Sequence, residues 1–191
     1  QEYGPLIICI GGIHGNEVAG LKAIDLILKM LEVEPITRPD FVFRGKFVGF
    51  RGNIPAIKAG KRYIHKDLNR NFIKERLDAI HERRIPPQYL EDLEAIQLIL
   101  SIKEEIKKYQ AQKIVIIDLH TTSSPGGIFT IVPNDHDSMR VALEMHAPVV
   151  LGMIEGIQGT TMHYFTSENL GVVCRSITFE SGQHEAESSV N

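Results

Sequence analysis

Apolar residues along the chain fall into two alternating patterns, short unbroken runs and longer stretches with helical spacing. The run Leu6-Ile-Ile-Cys-Ile10 predicts a buried strand, and Gly11-Gly12 behind it a tight turn. Val18 to Leu31 then places apolar residues at Val18, Leu21, Leu28 and Leu31, which predicts a helix. Pro35 to Asp40 reads as a turn-rich link, and Phe41 to Phe50 as a strand or a hairpin broken at Gly45-Lys46. Arg51-Gly-Asn-Ile-Pro55 leaves that strand for a long loop carrying Arg62 and Arg70, and Pro86-Pro87 closes a charged segment. Leu90 to Tyr109 is predicted as an amphipathic helix through Leu93, Ile96, Ile99, Leu100 and Ile106. Lys113-Ile-Val-Ile-Ile-Asp-Leu-His120 reads as a central strand, and Ile128 to Val132 as a short one. Ser138 to Ala147 is predicted as a helix stopped by Pro148, and Thr160 to Gly171 as a loop able to shape a pocket. Ser176-Ile-Thr-Phe179 is the last strand. Strands alternating with helices, with no internal repeat or low-complexity tract, place the chain in the α/β class as one domain.

That pattern sets several chemistry-bearing side chains at strand ends. His14 and Glu17 lie three residues apart where the first strand gives way to the first helix, so one cation could meet both. The pair alone also fits a solvated helix start. Period-2 alternation puts Asp118 and His120 on one face near the carboxyl end of the central strand, where ligands collect in open α/β sheets. A lone strand-end histidine is more often a hydrogen-bonded core residue. Together, His14, Glu17 and His120 make the His₂Glu set of catalytic zinc, with a fourth position for water. Zn²⁺, one per chain, is therefore the expected cofactor. Two imidazoles and a carboxylate suit that ion better than magnesium or calcium, which prefer all-oxygen shells.

Composition narrows the partners. At 191 residues, 43% hydrophobic and 24% charged, the chain has the make-up of an ordinary globular domain. Its net charge of -3 offers no general basic surface for nucleic acid. No apolar run approaches the roughly 18 residues needed to span a bilayer, so no membrane association is expected. Cys9 and Cys174 lie in apolar surroundings without metal-ligand spacing, which predicts buried thiols and a cytoplasmic setting. No charged-then-apolar leader precedes Gly4. The phosphate-loop, dinucleotide-turn, His-Glu-x-x-His and Gly-x-Ser-x-Gly patterns are absent, so nucleotide, zincin and serine-hydrolase readings have no sequence support. His65, His81, His136, His146, His163 and His184 lack partners comparable to those of His14 and His120. A homo-oligomer is left open.

Four blocks carry a resemblance to a known family. Gly-Gly-Ile-His-Gly-Asn-Glu at 11 to 17, Arg62-Tyr63 with Asp67-Leu-Asn-Arg70, Asp118-Leu-His120 and Phe179-Glu180 occur in order. At roughly this spacing they resemble the succinylglutamate desuccinylase and aspartoacylase family, a branch of the zinc carboxypeptidase-like hydrolases. The resemblance implies a three-layer domain with a mixed sheet flanked by helices. It implies zinc on His14, Glu17 and His120, substrate contacts from Arg62, Asn69 and Arg70, and Glu180 as general base and acid. The residue types agree: a guanidinium pairs with a carboxylate in a bidentate fork, and amide hydrolysis needs a carboxylate to carry a proton to the departing amine. Asp67 and Asp118 are both available to orient a ligating histidine, and the sequence does not choose between them.

The expected activity is zinc-dependent hydrolysis of the amide of an N-acyl amino acid or similar small carboxylate. The alternatives are a zinc carboxypeptidase acting on peptide or peptidoglycan fragments, and a metal-binding domain of weak activity. Two departures bear on this. Aspartoacylases carry a further arginine about ten residues before the catalytic glutamate, where this chain has Leu170, with Arg175 the nearest replacement. N-acetylaspartate is disfavoured accordingly. Family members also continue into a smaller β-rich carboxyl-terminal domain, so residues 1–191 are expected to be the catalytic domain, with the second domain absent or truncated.

Overall fold

A computed structural model describes residues 4–124, 126–184 and 186–190. The first apolar run becomes β1 (Leu6–Gly11), whose Leu6, Ile8 and Ile10 are fully buried. Gly12 follows at φ +73°, a left-handed conformation that lets the chain turn sharply off the strand end. Helix α1 (Ala19–Thr37) returns across the sheet to β2 (Lys46–Arg51). β2 pairs parallel with β1 and residues 41–45 are coil, so the strand expected over 41–50 forms only from Lys46 and no hairpin forms at Gly45-Lys46. The pairing that holds 46–51 extended comes from β1 across the helical crossover, and residues 41–45 have no partner strand among the described residues.

The long loop after β2 contains α2 (Ile54–Ala59), a 3₁₀ turn at Leu68–Arg70 and α3 (Lys74–His81). Helix α4 (Leu90–Tyr109) has the predicted bounds and leads to β3 (Lys113–Thr122). Then come β4 (Phe129–Ile131), α5 (His136–Leu143), β5 (Val149–Val150), α6 (Thr161–Tyr164), α7 (Ser167–Leu170) and β6 (Val173–Gln183). The predicted loop at 160–171 thus contains two helical turns. The last strand extends well beyond Ser176–Phe179. Helix α5 begins at His136, capped by Asp135, and ends before Pro148 can stop it.

The six strands form one mixed sheet in the order β2-β1-β3-β6-β4-β5. β2, β1, β3 and β6 run parallel, while β4 runs antiparallel to β6 and parallel to β5. After β1 the chain moves to one side, to β2, and then crosses back to place β3 on the other side of β1. A switch of direction opens a crevice at the carboxyl ends of the two strands between which it occurs. His14, Glu17 and His120 all belong to those ends.

Helices cover both faces. Ile8, Ile10, Ile114 and Ile116 join Ala95, Leu98, Ile99 and Ile102 of α4 in the main core. Leu93 and Leu100, assigned to the apolar face by spacing, are 48% and 39% exposed, so the buried stripe is rotated from the predicted one. Helix α1 packs differently again, burying Ala19, Gly20 and Ile24 while Leu28 stays 38% exposed. A side chain at Gly20 would bring its Cβ within 2.8 Å of the Leu119 Cβ, so the close approach rests on small residues and not on the leucines. Helix α1 also runs through Pro35 to Thr37, because proline in the last turn loses one N–H but keeps a helical φ. Cys9 and Cys174 are free and buried, and burial pushes both thiols up to about 12. No helix among the described residues is long and apolar enough to cross a membrane.

Two adjacent acids at the start of α4 pin the long loop. Glu91 and Asp92 are both 0% exposed. Glu91 Oε1 accepts from the backbone N–H groups of Ile64 (2.8 Å) and His65 (3.1 Å). Asp92 takes Arg76 on both oxygens and accepts from Asn71 Nδ2 (2.9 Å) and the backbone of Gln88 and Tyr89. Burial pushes the Asp92 carboxyl up, but the hydrogen bonds from Arg76 and Asn71 outweigh it and hold its pKa below the aspartate range. Because the folded pKa lies below the unfolded one, the stabilisation is present above about pH 4 and is lost as pH falls through the folded value. Asp92→Asn should therefore cost about 3 kcal/mol at pH 7. The gap should narrow in acid, as urea titrations of both proteins at pH 7 and pH 3 would report. An equal gap at both pH values would assign the loss to packing.

Candidate metal centre and active site

The turn after β1 presents the first two ligands. Glu17 N–H donates to His14 O (3.0 Å), so the pair sits on a turn ahead of α1 and not on the helix itself. Gly15, at the tip, lies against α2: an added Cβ would meet Ala56 backbone at 2.1 Å. Its N–H donates to Arg62 O (3.2 Å), which joins this turn to the long loop.

His14, Glu17 and His120 are buried, and one ligand atom from each lies within 4.8 Å of the others. His14 Nδ1 is 2.8 Å from Glu17 Oε1, and His120 Nδ1 is 3.1 Å from Glu17 Oε2. Ligands about 2.0–2.1 Å from a tetrahedral zinc stand roughly 3.4 Å apart, so small adjustments would let all three share one ion. The far nitrogens are held by carboxylates. His14 Nε2 lies 3.0 Å from Asp67 Oδ1, and His120 Nε2 lies 2.9 Å from Asp118 Oδ2. With a cation bound, a proton kept on each Nε2 would leave each Nδ1 lone pair to the shared centre. Each of the two carboxylates that the sequence offers thus stands beside one histidine, Asp67 as a hydrogen-bond partner of His14 and Asp118 in ion-pair range of His120.

These carboxylates are themselves fixed. Asp67 Oδ1 accepts from Asn69 N–H (2.8 Å) and Oδ2 from Arg62 Nη2 (3.2 Å). Asp118 Oδ2 accepts from Thr161 Oγ1 (2.6 Å), a contact that the sequence reading did not anticipate. Thr121 N–H donates to Glu17 Oε2 (3.0 Å). Burial alone would lower the pKa of each histidine, but Asp67 and Glu17 turn His14 upward, and Asp118 and Glu17 turn His120 upward. Burial likewise pushes the Glu17 carboxyl up, yet hydrogen bonds from His120 and His14 keep it below its ordinary range. Both rings thus favour the protonated form and Glu17 the ionised one, and a metal ion bound by the three would displace a proton from each ring.

Glu180 stands beside this centre because β3 and β6 pair with His120 opposite Glu180, and residues opposite each other in a ladder share a face. Its Oε2 is buried and has no hydrogen-bond partner among the described residues. Burial pushes its pKa up, as do Glu17 and Asp118, against an opposing effect of His120. It is not among the three converging ligands.

The cavity around them has a volume of about 180 Å³. Arg62, Asn69 and Arg70 line it, as expected from sequence. Arg62 also lies 3.5 Å from Glu17 Oε1. Asn69 Oδ1 accepts from Thr161 N–H (3.1 Å), which leaves its NH₂ as the donor toward a ligand. Arg70 Nη1 donates to Asn69 O (2.7 Å) and has no acidic partner among the described residues. Met153, Ile154 and Ile157, from a segment that the sequence reading left unassigned, add an apolar lining. Leu170 packs against the main core, and Arg175 pairs with Asp137 at a separate cavity, so neither lines this site. Of the other histidines, His163 and His184 are satisfied by Thr160 and Thr121, each at 2.6 Å.

Known proteins share both sequence and fold with this chain. It is 29% identical over 186 residues to the succinylglutamate desuccinylase of Serratia proteamaculans, covering 95% of this chain and 52% of that protein. It is 34% identical over 128 residues to a probable aspartoacylase of Nostoc, covering 67% of this chain and 39% of the other. The chain thus spans about half or less of the length of these relatives. In fold it resembles the crystal structure of succinylglutamate desuccinylase from Chromobacterium violaceum, with TM-score 0.70 and 24% identity over 99% of this chain and 57% of that one. Murine aminoacylase 3 superposes with TM-score 0.59 and 20% identity, over 95% of this chain and 57% of that one. Residues 3–188 match the model of the succinylglutamate desuccinylase/aspartoacylase catalytic domain, and the chain belongs to that family.

Proposed function

We propose that the chain carries the active site of a zinc-dependent hydrolase that cleaves the amide of an N-acyl amino acid or similar small carboxylate. The observation that carries the reading is the convergence of His14, Glu17 and His120 beside Glu180, whose Oε2 has no hydrogen-bond partner among the described residues. Zinc held by those three residues would supply a water of lowered pKa and polarise the scissile carbonyl. Glu180 takes a proton from the attacking water and returns it to the departing amine nitrogen, a role that its raised pKa favours. Arg62 and the Asn69 amide offer N–H donors to the substrate carbonyl, and Arg70 takes the carboxylate. A small-molecule carboxylate is therefore the partner, with no role for nucleic acid or a membrane, and the setting proposed is the cytoplasm.

The test is metal analysis followed by an assay of the zinc-loaded protein against N-acetyl amino acids, N-succinyl amino acids and dipeptides. Near one equivalent of zinc with cleavage of N-acyl amino acids is expected. Preferential cleavage of dipeptides would favour a carboxypeptidase, and less than about a tenth of an equivalent of metal after zinc addition would remove the reading.

Arg70→Lys separates a bidentate clamp from a simple positive charge. Lysine keeps the charge but loses the planar fork, so kcat/KM should fall about tenfold or more, on the order of 1.4 kcal/mol at the transition state. The loss should vanish on a carboxamide substrate. Equal rates of wild-type hydrolysis on carboxylate and carboxamide would show that Arg70 does not grip the anion.

A further inference from the structure

The cavity is short of cations. Besides the two histidines of the metal centre, Arg62 and Arg70 are the basic side chains that line it among the described residues. Arg62 is engaged by Asp67 at 3.2 Å and by Glu17 at 3.5 Å. Arg70 donates to a neutral carbonyl and so is the guanidinium left for a substrate anion. Among the described residues no third arginine lines it: Leu170 packs against the main core and Arg175 pairs with Asp137 elsewhere. Met153, Ile154, Ile157 and Met162 give the cavity an aliphatic and thioether wall, and its threonines, Thr121, Thr160 and Thr178, carry no charge.

We infer that the substrate carries a single carboxylate, taken by Arg70, and is otherwise apolar: an N-acyl amino acid with an aliphatic or thioether side chain and a short uncharged acyl group. The inference rests on the amide-hydrolase reading and deepens it. A second carboxylate, on the side chain or on the acyl group, would shed its water against isoleucine and methionine without a cationic partner, which disfavours it. A leucine or methionine side chain gains by the same desolvation. The cavity of about 180 Å³ is small beside the roughly 300–1,000 Å³ of pockets for larger ligands, which suits a compact substrate. Relatives named for succinylglutamate and aspartate would thus differ from this chain in the charge of their substrates.

Calorimetric binding to zinc-loaded Glu180→Gln tests the inference apart from turnover. The probes are N-acetyl-L-leucine, N-acetyl-L-aspartate, which adds a carboxylate to the amino-acid half, and N-succinyl-L-leucine, which adds one to the acyl half. N-acetyl-L-leucine should bind at least tenfold more tightly than either dicarboxylate. Equal or tighter binding of either dicarboxylate, or no measurable binding of N-acetyl-L-leucine, overturns the inference. Met153 is 47% exposed, so Met153→Arg should fold normally and shrink that preference tenfold or more. An unchanged preference would remove Met153 from the wall that selects the substrate. Failure of the wild-type protein to hydrolyse any of the three would instead defeat the hydrolase reading, while the order of binding still decides the substrate class.

Discussion

Replacing His120 with alanine should leave the protein unable to hold a stoichiometric metal ion and should reduce hydrolysis to background. Two ligands, His14 and Glu17, would remain on one turn, and β3 would contribute none. Changes in the carboxylates that orient a zinc-bound histidine typically cost 10–100-fold in metal affinity, so loss of a ligand itself should exceed about 100-fold. The structure provides the comparison. Asp118 contacts His120 Nε2 and is anchored by Thr161, so Asp118→Asn should fall within that smaller range. Competition with a chromophoric chelator would rank the two variants. A His120→Ala protein that keeps one tightly bound zinc would show that the three residues are not the ligand set. Stability should respond as well. Glu17 and Asp118 are 2% and 0% exposed, and removing His120 leaves both without the imidazole that they face. Breaking a buried pair in this way costs about 3–5 kcal/mol, so the comparison is best made below the melting temperature of the variant.

How much of this was legible in the sequence depended on whether a signal was local. β1, β3 and α4 are continuous runs or strongly periodic ones, and they appear where the pattern places them. The same locality brought out His14 with Glu17 and Asp118 with His120, because a spacing of three on a turn and of two on a strand each fixes a shared direction. What sequence could not rank were partnerships across distance. Asp67 and Asp118 appeared as rivals, whereas the fold brings Asp67 to a histidine 53 residues away and leaves Asp118 beside its strand neighbour. Glu91 and Asp92 resemble a solvated acidic first turn of a helix. They are buried because the backbone of residues 64–65 and 88–89 and the side chains of Asn71 and Arg76 come to them, and none of that shows in local composition. The strand or hairpin expected between 41 and 50 formed only as a strand from Lys46 for a related reason: propensity favours extension but does not supply a partner, and β1 pairs with 46–51 alone. Likewise, the apolar face of α1 was read from its leucines, while the sheet is met by Ala19, Gly20 and Ile24, since small residues set how closely a helix can approach.

Glu180→Gln should keep the metal and the fold while losing catalysis. The substitution preserves shape and removes only the ability to accept a proton. Glu180 stands outside the converging ligand set, so zinc content and melting temperature should stay near wild type. The structure gives a reason to expect little folding penalty. Glu180 Oε2 is buried with no hydrogen-bond partner among the described residues, and burial together with Glu17 and Asp118 already disfavours its charged form. A neutral amide there relieves that cost. Proton transfer by a positioned side chain contributes typically 10²–10⁴-fold, so kcat should fall by about that factor, roughly 3 to 5 kcal/mol of barrier. The acidic limb of the pH profile of kcat/KM should also change, because in the wild-type protein it reports loss of the basic form of a group or groups coupled at this centre. Paired measurements of zinc content and kcat on the same preparation separate the roles. Full zinc with a hundredfold or greater loss of kcat assigns the proton shuttle to Glu180, whereas an active variant gives that role to another group. Zinc lost together with activity would make Glu180 a ligand, and the three-residue centre would then have to be redrawn with a fourth protein donor in the position otherwise left to water.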